Sequence, residues 1–271
     1  MRGRRDHLLP QGYLKGFTDP TNPTQLSVYD IQRQRWFETG TERVACIRGF
    51  YDYAHDCEPD QTADQAFREF EVKFPNVRNE LASTKFSNWR SHLEFLLAYA
   101  QMLRARSELF REEELVEIRK RKMFRVKEVF NDLVTGKTSI TYEDLTEDQS
   151  GREALFRNMT ITNMRAEIAK RAALFSELHW CLRFTNDVSN PVITSDNPIY
   201  CVGQAQTIEA ALKDERTFLF FPLSWQACLI GIPTKFDLDI DVLQPDFART
   251  LHSHYLSAEC RFAYAPNRLC L

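Results

Sequence analysis

The chain of 271 residues is 43% hydrophobic and 12% aromatic, with 20 phenylalanines, which is enough apolar surface for a sizeable core and excludes a disordered chain. Its nine glycines are few, and apart from Gly12 and Gly16 no two lie within eight residues of each other, so neither a G-x-G-x-x-G dinucleotide fingerprint nor a G-x-x-x-x-G-K phosphate loop can be written. The 35 lysines and arginines against 38 aspartates and glutamates leave no global positive field for nucleic acid or an anionic membrane.

Arg2, Arg4 and Arg5 resemble the positive start of a signal peptide, but no apolar stretch of ~7 residues follows them, and no apolar run nears the ~18 residues of a membrane span. A cytoplasmic protein is expected. The seven cysteines are odd in number with no two closer than ten residues, which fits reduced, buried thiols better than a disulfide framework or a C-x-x-C site. Leu26, Val28 and Tyr29 followed by Trp36 and Phe37 predict a hairpin turning near Gln32 to Gln34. From Asp64 the period becomes helical through Phe67, Phe70, Phe74 and Val77, with Pro75 expected to kink or break it. A longer helix is expected from about Ser87, with Leu93, Leu96, Leu97, Ala100 and Leu103 in one stripe, then a charged helical stretch from Phe110 to Phe130. Thr135 to Gly151 reads as a loop, and Met164, Ile168, Ala172 and Phe175 as a further helix ending near Leu178. Beyond it strands are expected at Trp180 to Phe184, Val192 to Thr194, Ile199 to Val202, Thr217 to Phe221, Ala227 to Ile232 and Arg261 to Tyr264, with one helix from Pro245 to about Ser257. Strands, then helices, then strands predict one α+β domain over 1–271 with a mainly antiparallel sheet: an N-terminal β region over 1–62, a helical region over 63–178 and a C-terminal β-rich region over 179–271.

The opening Asp6-His7-Leu8-Leu9-Pro10-Gln11-Gly12-Tyr13-Leu14-Lys15-Gly16-Phe17 carries an H-x-x-P-x-x-Y-L-x-x-F pattern. Gly49-Phe50-Tyr51, Phe70-Glu71, Gln101-Met102-Leu103-Arg104, Trp180, Thr194-Ser195-Asp196-Asn197-Pro198 and Phe221-Pro222-Leu223-Ser224 follow in order. Together these resemble an uncharacterised, mostly microbial family, domain of unknown function 4238, across most of the chain. The resemblance implies no activity, so the residues must be weighed on their chemistry.

His7 is the one side chain of the opening motif able to move a proton near neutral pH, either as a general acid or base or as a ring that bonds the turn before Pro10 and packs with Tyr13. Asp196 lies in a Ser-Asp-Asn-Pro turn, where it either satisfies backbone N–H groups or serves as a carboxylate that holds a metal or orients His7. Gln101 and Arg104 share a helix face. A partly buried Arg104 needs a carboxylate, which Glu71 or Asp196 could supply, or else it clamps an anion. The candidate catalytic residues are therefore His7, Asp196 and Glu71, and the candidate substrate contacts Arg104, Gln101, Tyr13, Ser195 and Asn197.

Three patterns are set aside. Pro59-Asp60 with Glu71-Val72-Lys73 spells a restriction-nuclease motif, but its Glu and Lys fall in a helical period where that chemistry needs a strand. Arg249 to His254 spells the R-x-x-x-x-H of HEPN ribonucleases, a pattern loose enough that Arg2 to His7 also meets it. Asp52, His55, Asp56, Cys57, Glu58 and Asp60 could ligate a metal, but read as a solvated acidic loop. Two functions remain. One is a hydrolase acting on a phosphodiester or other anionic substrate, such as a nuclease in a phage-defence or mobile-element setting, with a divalent metal as the cofactor its carboxylates allow. The other is a non-enzymatic binding or sensor protein in which the same residues form a structural polar network. The partners these allow are nucleic acid, a small anionic ligand, a protein or a second copy of the chain, and no membrane.

Overall fold

A computed structural model describes residues 5–51, 61–120, 160, 175–202, 213–234, 239–257 and 260–268. The chain opens with β1 (Arg5–His7), a short helix α1 (Gln11–Leu14) and a 3-10 turn (Lys15–Phe17). The expected hairpin follows as β2 (Leu26–Asp30) and β3 (Arg35–Thr39), antiparallel, with Gln34 at φ 51° in its turn. The Asp30 carboxylate fixes that turn by accepting the Arg33 backbone N–H at 3.0 Å. β4 (Cys46–Arg48) then pairs antiparallel with β1, His7 opposite Cys46. Neither β1 nor β4 was expected from pattern, because three residues of mixed polarity carry no period of two.

The helices are α2 (Gln61–Ser83), α3 (Leu93–Ala105, entered through a 3-10 turn at Trp89–His92) and α4 (Glu108–Lys120). Pro75 does not break α2, which runs through it. Proline removes one helical hydrogen bond and crowds the carbonyl four residues back, and here the freed Glu71 carbonyl and the Pro75 ring face Gly12 of α1. A side chain at Gly12 would put its Cβ 2.9 Å from Pro75 Cγ, so that glycine permits the close crossing. Arg78, one turn on, donates to the Gly12 carbonyl at 2.8 Å. The expected loop at Thr135 to Gly151 and the helical pattern Met164, Ile168 and Ala172 lie outside the described residues.

The C-terminal third gives β5 (His179–Phe184), β6 (Thr194–Ser195), β7 (Tyr200–Val202), β8 (Phe218–Ser224), β9 (Ala227–Ile232), β10 (Ile240–Val242), α5 (Pro245–Ser257) and β11 (Phe262–Ala265). These build two larger sheets. One has the order β10-β5-β9-β8-β7 and the other β3-β2-β11-β6, so the N-terminal hairpin is completed by the last described strand. Among the described strands only β10 and β5 pair in parallel. The fold is α+β with mainly antiparallel sheets.

The core lies where α1 meets both larger sheets and the helices. Tyr13, Phe17, Phe74 and Tyr99 are fully buried, with Phe74 and Tyr99 stacked at 4.1 Å. Each such ring removes 150–250 Å² of surface from water, roughly 2–3 kcal/mol apiece. The thiols of Cys181, Cys228 and Cys260 are buried and those of Cys46 and Cys201 partly buried, as their apolar neighbours imply.

Candidate functional site

Two polar sites lie near the opening motif. The first is centred on Arg106, which ends α3 and is 4% exposed. Its Nε donates to the Tyr51 hydroxyl at 2.7 Å, Nη1 to the Glu71 carboxylate and Nη2 to the His7 carbonyl. The guanidinium also lies over the Phe67 and Tyr51 rings, at 5.1 and 5.4 Å. Burial works against its charge, but Tyr51 and Glu71 outweigh that and raise the pKa above the ordinary arginine value. Burial pushes the Tyr51 phenol up to about 12, so it stays a neutral hydrogen-bonding group at physiological pH. The Tyr51 backbone N–H reaches Asp6 at 3.2 Å. β1, the Tyr51 segment, α2 and the end of α3 thus meet on one cation.

The second site is a cavity of about 130 Å³ lined by Leu8, Glu108, Leu109, Glu112, Asp196, Asn197 and Arg261. Asp196 sits between β6 and β11, where its carboxylate accepts the backbone N–H of Arg261 at 3.1 and 3.2 Å and that of Phe262 at 3.4 Å. Those donors favour the ionised form. Burial outweighs them and, with the Glu108 carboxylate adding to it, lifts the Asp196 pKa to about 6. Ser107 caps the start of α4 by accepting the Phe110 N–H at 3.1 Å, which presents Glu108 and Glu112, one turn apart, to the cavity. The Tyr264 hydroxyl, fully buried and without a hydrogen-bond partner among the described residues, is held strongly protonated by its burial and by Asp196.

The expected site residues divide between these sites and the core. His7 and Glu71 come together, but through Arg106, and the His7 ring meets Gln11, Nε2 to Nε2 at 3.1 Å. Glu71 pairs with Arg106, two residues beyond Arg104. Arg104 lies within electrostatic reach of Cys201 on β7. Both arginines are on the last turn of one helix, and only Arg106 continues the buried line of Tyr99, Met102 and Leu103. Extending that stripe by three and four residues would have found it. Gln101 is buried, at 2% exposure. Tyr13 is a core tie rather than a substrate contact: it is fully buried, and its hydroxyl meets Thr194 Oγ1 and the Pro222 carbonyl, both at 2.9 Å. Ser195 is likewise sealed, donating to the Asn197 carbonyl at 2.7 Å and accepting its N–H at 3.1 Å. Asp196 and Asn197 alone reach the cavity. Glu108, Glu112 and Arg261 were missed because their partners are brought together by tertiary folding, with no local spacing to announce them.

Of the patterns set aside, Glu71 and Lys73 do lie on α2, while Asp52 to Asp60 lie outside the described residues. Arg249 pairs with Asp246 on its own helix, and His252 is buried, donating Nε2–H to the Pro191 carbonyl at 2.9 Å. Among the described residues no group of three or more His, Cys, Asp or Glu side chains is arranged to hold a metal, and no helix is long and apolar enough to cross a membrane.

Fold and site define an α+β protein with an acidic cavity at a sheet end and a buried arginine hub beside it. The profile of DUF4238, a family of proteins of unknown function, matches residues 5–265, and the chain belongs to that family. No curated protein and no solved structure matches it.

Proposed function

We propose that this protein is a hydrolase of a phosphodiester or other small anionic substrate, working in the Asp196 cavity with Asp196, rather than His7, as general acid or base. The observation that carries the reading is the carboxyl group of Asp196, lifted to about 6 in a cavity also lined by Glu108, Glu112 and Arg261. A carboxyl titrating there can give or take a proton near neutral pH, and a perturbed acid in a cleft is a candidate for that role. Glu108 and Glu112 remain acceptors for a cation. An anionic substrate beside those glutamates needs a divalent ion between them. Magnesium commonly binds in this way, through one or two carboxylates plus substrate phosphate rather than a complete protein cage.

The test is turnover of single-stranded RNA, single-stranded DNA, cyclic nucleotides and bis-p-nitrophenyl phosphate, with and without Mg²⁺ or Mn²⁺. Asp196→Asn is expected to lower the rate by 10²-fold or more, with EDTA abolishing it and His7→Ala costing far less. No turnover of any substrate by the wild-type protein across the metal series, or full activity in Asp196→Asn, would sink the reading.

The Arg106 hub favours a second one, a non-enzymatic binding or sensor protein. His7, Glu71 and Tyr51 spend their hydrogen bonds on one another's elements, as a structural network does. That reading gains if the wild type is inactive throughout and Arg106 variants lose stability.

A further inference from the structure

Away from both polar sites, the five-stranded sheet and α5 enclose a cleft of about 290 Å³ that shares no lining residue with the Asp196 cavity. Its floor is Cys181, Ile230 and Ile232 of the adjacent inner strands β5 and β9, and one wall is the Phe218 and Phe247 ring pair, with centroids 6.2 Å apart. Ile232, Phe218 and Phe247 are only partly buried, and Val242 at the rim is 48% exposed. Apolar side chains left open around a concave space are the usual lining of a small-molecule site, and they are unusual on a bare surface.

Among the described lining residues, the only charged side chains are Arg183 and Asp241, which face each other across β5 and β10 and pair at 2.6 Å. The pair cancels, so the described lining offers no net charge to an ion, and an ionic ligand would lose its hydration without compensation. Asp241 keeps acceptor capacity. Its Oδ1 takes the Val242 N–H at 2.8 Å and its Oδ2 forms the ion pair with Arg183, out of about four lone-pair sites on a carboxylate. An occupant can therefore donate one hydrogen bond to Asp241 while its body lies against the rings. At about 30 Å³ for each water-sized group, the space admits on the order of ten non-hydrogen atoms.

We propose that this cleft is a binding site for a small, uncharged, largely apolar molecule with one hydrogen-bond donor, of the phenol or indole type. Titration calorimetry on the full chain with three probes of matched shape tests it: 2-naphthol (neutral donor), 2-naphthoate (anion) and 2-naphthylmethylamine (cation). Naphthol should bind at least tenfold more tightly than either ion. Ile232→Trp, which fills the cleft from a partly open position, should weaken naphthol tenfold or more, and if that variant fails to fold, Val242→Trp at the exposed rim takes its place. Asp241→Asn removes the one negative charge among the described lining residues and should shift preference toward naphthoate. Equal or tighter binding of an ion by the wild type, no binding of naphthol, unchanged naphthol affinity in the filled variant, or unchanged preference in Asp241→Asn would overturn the proposal.

Discussion

At Asp196 the backbone N–H groups of Arg261 and Phe262 hold the carboxylate in place, while burial and Glu108 resist its ionisation and set its pKa at about 6. An unfolded aspartate titrates near ~3.9. The folded state therefore binds this proton more tightly, and the stability so gained is present in full below pH ~4 and lost as the pH rises through about 6. At pH 8 the ionised group costs about 2–3 kcal/mol. Asp196→Asn keeps a carbonyl for the two N–H donors and removes that cost, so denaturant titrations should find it more stable than wild type at pH 8 and no more stable at pH 4. A pH-independent difference between the two would contradict the assignment. The same change is expected to remove activity, the usual conflict between a strained site and a stable one. Arg106 runs the other way. Arg106→Met removes the donor shared by the His7 carbonyl, the Tyr51 hydroxyl and the Glu71 carboxylate and should cost about 3–5 kcal/mol. Glu71→Gln, which retains an acceptor at a position 35% exposed, should cost well under half of that. Urea unfolding measures both, and an Arg106→Met variant within about 0.5 kcal/mol of wild type would remove the hub from the account.

Periodic elements could be read from the sequence, and their ends mostly could not. α5 spans Pro245–Ser257 and β9 spans Ala227–Ile232, as expected, because proline at the first helical turn and a run of apolar residues bounded by turns are local signals. α2 shows the opposite case. Its course through Pro75 depends on Gly12, more than sixty residues earlier, and no pattern within the helix carries that information. The end of α2 holds a further local strain, since Lys85 and Phe86 both adopt left-handed φ, 51° and 64°. Phe86 is kept there by burial against Phe184, with ring centroids 5.8 Å apart, and by its N–H to the Leu81 carbonyl at 2.7 Å. Lys85 is exposed and has no such compensation in packing. Lys85→Gly supplies the residue that a left-handed helix end prefers and should raise stability by about 0.5–1 kcal/mol, seen as a higher midpoint with unchanged m-value. A loss of stability would mean that the lysine stem contributes more than its backbone costs.

Across the whole molecule the opening motif is a tie between sheets. Its tyrosine was expected beside a substrate, yet Tyr13 spans the gap between the two larger sheets, bonded to Thr194 on β6 of one and to the Pro222 carbonyl on β8 of the other. Sequence could not disclose this, because Thr194 and Pro222 come from a region some 180 residues or more away. The 3-10 turn after α1 adds a third link, with the Trp225 N–H donating to the Gly16 carbonyl at 2.8 Å. The motif thus works as the piece by which the N-terminal segment holds the C-terminal sheets in place. Tyr13→Phe keeps the ring among Phe17, Phe74 and Tyr99 and deletes only the hydroxyl, leaving a buried acceptor at Pro222 and a buried hydroxyl at Thr194 unpaired. That should cost about 1–3 kcal/mol. If the hydroxyl couples the sheets, hydrogen exchange in Tyr13→Phe should accelerate in β6 and β8 together, even though these strands belong to different sheets. Faster exchange in one sheet alone would show that the contact is local, and that the N-terminal segment does not bind the two halves into one cooperative unit.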